Sequence, residues 1–157
     1  MNLFFDTSFL VPVFLTKHIH HTASKAAFQQ GRREDRSCGA PSLAECYSTF
    51  TGFPNRFSAD RNDVLLSIGD ILEHLSILTL TPDEYLLAIQ DAARDGVVGA
   101  TIYDALLARC AIKAQADVIY TWKVKHFERF PEIRSRVRTP CGLLALNPSF
   151  LDVRWVS

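Results

Sequence analysis

Cysteine, glycine and charge of one sign are all in short supply, and each shortage excludes something. The four cysteines are Cys38, Cys46, Cys110 and Cys141, and no two of them form a C-x-x-C pair. A disulfide framework or a zinc knuckle is therefore not expected; reduced, mostly buried thiols in a cytoplasmic protein are. The seven glycines are scattered, and Gly96 and Gly99 are too sparse to cradle a phosphate. No apolar run reaches membrane-spanning length; the one near the start, Phe9 to Leu15, is seven residues long and contains Pro12. Asp6 precedes it where a secretory signal would carry Lys or Arg, so secretion is not expected. Seventeen basic residues balance seventeen acidic ones at a pI near 7.0, which excludes a wholly basic nucleic-acid coat. A hydrophobic fraction of 48% and mean hydropathy of +0.05 exclude a disordered chain. At 157 residues a single domain over 1–157 is expected, since no repeat or linker-like stretch divides the chain.

The order of elements follows from pattern and punctuation. Asn2 to Phe5 is an apolar run closed by an acid, which reads as a buried strand, and the N-cap types Asp6, Thr7 and Ser8 start a helix at once. A second helix is predicted over His21–Gln30, a short strand over 37–40, and a helix from Pro41 to about Phe53. Ala59–His74 reads as helical, with Leu65, Ile68 and Leu72 at helical spacing. Strands at Ile77–Leu80 and Asp117–Thr121 flank helices begun by Thr81-Pro82-Asp83 and spanning Thr101–Gln115; a helical turn follows at Lys125–Arg129. Strands alternating with helices predict an α/β fold with a parallel central sheet flanked by helices.

Charge is uneven along this order. Lys123 to Arg138 holds six basic residues against Glu128 and Glu132, whereas the first 122 residues hold ten against fourteen acids. Such a segment is either a phosphate-facing rim or a solvated face. Trp122 and Phe127, beside Lys123, Lys125 and Arg129, suit base stacking or core packing about equally. His18, His20 and His21 have no fourth ligand at suitable spacing and read as a polar turn; His74 and His126 read as surface or partner-contact residues rather than a catalytic base.

Three acids stand apart. Asp6 closes a strand, where ligands bind in open α/β sheets, and it also suits a helix N-cap. Glu45 shares a helix side with Ser42, Ser48 and Thr49, opposite an apolar stripe of Leu43, Cys46, Tyr47 and Phe50, and has no cation three or four residues away. Asp104 lies in TIYDALLARCAIKAQ, a helix apolar nearly all round and hence mostly buried. A lone buried carboxylate costs several kcal/mol unless something positive meets it, although the helix dipole also favours an acid near this end. Together the three form an oxygen-only set suited to Mg²⁺, with Mn²⁺ able to substitute. Such an ion lowers the pKa of a water and offsets phosphodiester charge. Thr7 or Ser8 would add a hydroxyl.

Three segments in this order, NLFFDTSFLVPVF, PSLAECYSTF and IYDALLARCAIKAQADVIYT, resemble the PIN domain, and in particular the VapC-type toxins of bacterial toxin–antitoxin modules. The resemblance covers nearly the whole chain. It implies a parallel sheet flanked by helices, Mg²⁺-dependent endoribonuclease activity, a homodimer and an inhibitory antitoxin protein. On it, Asp6, Glu45 and Asp104 match the family's first three acids, which bind the metal, and Ser8 matches a small hydroxyl residue. Ser8, Lys123, Lys125 and Arg129 are the residues expected to meet RNA.

One departure is plain. The family commonly carries a further Asp or Asn two residues after Thr121, often with another Asp before a Phe; here Lys123 and His126 stand at those places. A protonated Lys cannot ligate Mg²⁺, so a second ion is not expected. Asp117 lies upstream of the strand and reads as a solvated strand-start residue. Two hypotheses follow: an active nuclease with one Mg²⁺ whose Lys123 neutralises phosphate charge, or a catalytically weakened module that binds RNA or antitoxin.

Overall fold

A computed structural model describes residues 1–52 and 60–140. Phe53, the expected helix end, Ala59, the expected next start, and Cys141 lie outside the described residues. The chain runs β1 (Leu3–Phe5), α1 (Thr7–Phe14), α2 (His21–Phe28), β2 (Arg36–Gly39), α3 (Ala40–Gly52) and α4 (Arg61–His74). It continues β3 (Ser76–Leu78), α5 (Pro82–Arg94), α6 (Thr101–Lys113), β4 (Val118–Tyr120), α7 (Val124–Phe127) and β5 (Val137–Arg138). The five strands form one sheet in the order β3-β2-β1-β4-β5, and every neighbouring pair is parallel. The expected α/β architecture with a parallel central sheet is the observed one.

The middle strand is the first in sequence. β1 pairs with β2 on one side and with β4 on the other, so the chain builds one half of the sheet, crosses over, and builds the second. In such doubly wound sheets the crevice lies beyond the carboxyl ends of the strands where the winding reverses. Here that is the space after Phe5 and Tyr120, which are register partners.

Alternation along β1 divides the core between two faces. Phe5 packs with Phe9, Leu10, Phe28, Cys46 and Phe50 under α1 to α4. Phe4 faces the other way, into Leu107, Cys110, Ile119, Phe127 and Ile133 under α6 and α7. Both rings are fully buried, and burial of each contributes about 1.5–3 kcal/mol. β2 ends on Gly39, where a Cβ would lie 2.7 Å from Leu107 Cδ2 and 3.2 Å from Cys110 Sγ. The missing side chain lets α6 rest directly on the sheet.

Several boundaries differ from expectation. On α4 the line of Leu65 and Leu72 is solvent-exposed, and the core takes Val64 and Ile71, with Ile68 half-buried. Six branched or long aliphatic residues in this helix supply more than one helical line, so spacing alone did not select the face. On α3 Cys46 and Phe50 are buried as expected, while Tyr47 is exposed. β5 is two residues long and carries no apolar run to announce it. The Thr81 start is a full capping box: Thr81 Oγ1 accepts from the Glu84 amide at 3.2 Å, and Glu84 Oε2 accepts from the Thr81 amide at 2.7 Å. No helix among the described residues is long and apolar enough to cross a membrane.

Candidate active site

Asp6 follows β1 directly and is 1% exposed. It caps α1: Oδ1 accepts from the Ser8 and Phe9 amides. Oδ2 accepts from the Ser8 hydroxyl at 3.0 Å and from the Thr121 hydroxyl. The N-cap and the strand-end readings are therefore one arrangement, because the strand stops where the helix must be capped. Burial pushes this carboxyl above the ordinary aspartate range; Thr121, Ser8 and the Lys123 charge pull it back in part. Thr121 follows β4, its hydroxyl is fully buried, and it also accepts the Lys123 amide at 2.9 Å. Two adjacent parallel strands thus end with a carboxylate and a hydroxyl locked together. Nothing in the local pattern singles out Thr121, and only the β1–β4 register reveals its role.

Ser8 is part of the same lock. Its hydroxyl donates to Asp6, accepts the Trp122 amide at 3.0 Å and lies 3.2 Å from Thr121 Oγ1. It orients Asp6 and ties β4's exit to α1, which occupies most of the capacity a substrate contact would need.

Glu45 reaches the crevice from α3. Burial raises its carboxyl, the Lys123 charge lowers it, and Asp6 and Asp104 raise it further by repulsion; the Thr7 hydroxyl beside it lowers it slightly. The Thr7 hydroxyl itself donates to Ser42 Oγ at 3.0 Å. Glu45 Oε1 is buried without a hydrogen-bond partner among the described residues. A buried carboxylate oxygen left without a donor is costly, and a cation would relieve it.

Asp104 comes from α6, which is buried on nearly all sides as the sequence implied. The positive partner demanded by burial is present. Lys123 Nζ lies 3.6 Å from Asp104 Oδ1, and His126 Nδ1 lies 2.8 Å from Oδ2. An ionised carboxylate only accepts, so the imidazole donates from Nδ1. His126 is exposed, as expected from sequence, and its ring also holds Asp104. α7 turns immediately after β4, which brings its third residue back over α6.

Asp6 and Asp104 both raise Glu45 by repulsion, so the three acids share one electrostatic neighbourhood. Their ligand oxygens do not all come within 4.8 Å of one another; among the described residues only Asp70, Glu73 and His74 do. Those three lie on one side of α4, with Asp70 and Glu73 exposed. The donor set around Glu45 is oxygen-only, and its orphaned Oε1 suits a hard divalent cation.

The rest of the predicted rim is placed as follows. Lys123, Lys125 and Arg129 are exposed, the last two on and just beyond α7. Phe127 is fully buried in the core under α7 and so is no stacking surface. Trp122 is half-buried and stacks on His20, with ring centroids 3.6 Å apart and planes 7° from parallel. His21 opens α2 with Nδ1 2.8 Å from the Pro12 carbonyl, and His18 Nδ1 accepts the His20 amide. Asp117 is exposed before β4 and accepts the Asn2 amide at 2.7 Å, a strand-start role as expected.

Known structures share this arrangement of sheet and helices. The chain is similar to VapC20 of Mycobacterium tuberculosis, described as a sarcin-ricin loop cleaving toxin, with a TM-score of 0.64 and 16% identity over 77% of this chain and 89% of that one. It is similar to a chain of VapBC2 from Rickettsia felis, solved bound to a fragment of promoter DNA, with a TM-score of 0.61 and 15% identity over 88% and 98%. VapBC-1 from nontypeable Haemophilus influenzae gives a TM-score of 0.61 and 16% identity over 90% and 99%. No curated protein matches the chain. Identities this low speak to fold alone. The PIN domain model, however, matches residues 3–133, a span that runs from β1 through α7 and contains Asp6, Glu45 and Asp104. By that match the chain belongs to the PIN domain family.

Proposed function

We propose that this protein is a metal-dependent endoribonuclease and acts as the toxin of a toxin–antitoxin pair. The observation that carries the reading is the buried, unpartnered Glu45 Oε1 on a carboxylate that feels the charges of both Asp6, at the carboxyl end of the central strand of a PIN sheet, and Asp104. Asp6, Glu45 and Asp104 would hold one Mg²⁺, for which Mn²⁺ can substitute. The ion would supply an acidified water and charge compensation on the scissile phosphodiester. Thr121 and Ser8 keep the Asp6 carboxylate aimed, since both hydroxyls bond its Oδ2. Lys125 and Arg129, exposed on and just beyond α7, would draw the RNA backbone in. Lys123 adds a charge at the reacting end.

The family likeness supports an antitoxin partner and a homodimer as well. Exposed apolar residues offer surface for them: Leu65, Leu66 and Leu72 on α4, and Leu86 and Ile89 on α5. A second reading, a catalytically weakened module that binds RNA or antitoxin, draws on the engagement of both Asp104 oxygens by Lys123 and His126.

Incubating the purified protein with RNA and Mg²⁺ separates the two. Cleavage that stops with EDTA and is lost in Asp6→Asn supports the nuclease, since Asn still caps α1. Absence of cleavage of ribosomal, transfer and messenger RNA alike supports the binding module. Co-purification with a small protein encoded next to this one would support the toxin role.

A further inference from the structure

Asp104 is the acid of this site that already pairs with a lysine. Its two oxygens face Lys123 Nζ at 3.6 Å and His126 Nδ1 at 2.8 Å. The Lys123 charge also acts on Asp6 and Glu45, so one ammonium group serves all three acids. Oxygens that share one octahedral Mg²⁺ at about 2.1 Å lie at most about 4.2 Å apart. The trio here is wider, since its ligand atoms do not all close to 4.8 Å. An ion held by all three therefore needs the carboxylates to draw together, and Asp104 joins it only with an oxygen that now faces Lys123 or His126. The backbone of Lys123 is pinned through its amide to Thr121, but its side chain is 45% exposed on a flexible stem. The ammonium can swing out while the strand end stays in place.

We propose that Lys123 is an internal competitor for the divalent ion: its ammonium group pairs with Asp104 and keeps the site at one loosely held ion until it is displaced. This rests on the metal-site reading above. An ammonium paired with a carboxylate and a divalent cation on that carboxylate repel each other, and the partly dry crevice screens them less than water does. The same contact explains how three acids remain folded together without metal. The arriving phosphodiester offers Lys123 an alternative anion, so RNA would free Asp104 for the ion.

Calorimetric titration of the metal-free protein with Mn²⁺ tests this on the wild type, Lys123→Met and Lys123→Arg, with thermal melts confirming that each is folded. Lys123→Met should bind Mn²⁺ at least about tenfold more tightly or take up a second ion, while Lys123→Arg should stay near the wild type. Equal affinity and stoichiometry in wild type and Lys123→Met overturns the competition and leaves the nuclease reading intact. Tighter binding without RNA cleavage upholds the competition and counts against the nuclease. Failure of every form to take up Mn²⁺ overturns both.

Discussion

Thr121→Val removes a hydroxyl at the point where the two halves of the sheet meet, and it keeps the shape. Thr121 is 0% exposed and Asp6 1%, so water cannot replace the bond that the hydroxyl donates to Asp6 Oδ2. A hydrogen bond to a charged group contributes about 1.5–3 kcal/mol. The Lys123 amide, which also loses its acceptor, sits beside a half-exposed residue where water substitutes cheaply. The expected loss is therefore about 2–3 kcal/mol, or about 4–12 °C in Tm for a chain of this size. The loss should also depend on pH. Asp6 is raised above the ordinary aspartate value by burial, and Thr121 is the largest influence lowering it. A raised carboxyl favours the fold most when protonated, and that contribution disappears as pH rises through the folded-state pKa. Removing Thr121 raises that pKa further, so the gap between wild type and variant should widen with rising pH. Urea unfolding in EDTA between about pH 5 and about pH 8 measures it. A gap below about 0.5 kcal/mol, or one that narrows as pH rises, would refute the assignment of this hydroxyl to the ionised Asp6.

Gly39→Ala places a methyl group 2.7 Å from Leu107 Cδ2, and Leu107 and Cys110 are themselves buried. Overpacking should lower stability by about 1–3 kcal/mol; a variant as stable as wild type in denaturant would show that α6 does not sit so close. Burial pushes Cys38 up to about 12, Cys110 to about 11, and Cys46 higher still. Because the thiolate is the nucleophile, all three should resist alkylation near neutral pH in the native state and react on unfolding, as peptide mapping would show.

β1, β3 and β4 were legible in the sequence because each is a short apolar run that ends in a turn-former or a helix starter, whereas β5 has no such run. Asp6 shows this best: a carboxylate placed where a buried strand must become a helix caps that helix, whatever else it does. Asp104 was legible for a different reason, since a helix apolar on all sides forces any acid in it to find a positive partner. Local pattern could not identify that partner. Lys123 and His126 are separated from Asp104 by a whole strand and meet it only because α7 folds back over α6. Thr121 was invisible for the same reason, as its role depends on β4 lying beside β1 in register. The buried face of α4 was misread, because abundant leucines fit several helical lines and only the position of the sheet selects one. Sequence by itself settled most of the elements, the α/β class and which acids would be unusual, because those follow from periodicity and the cost of burying charge. Tertiary structure alone decided which groups face those acids, because contacts between strand ends far apart in the chain depend on sheet order and register.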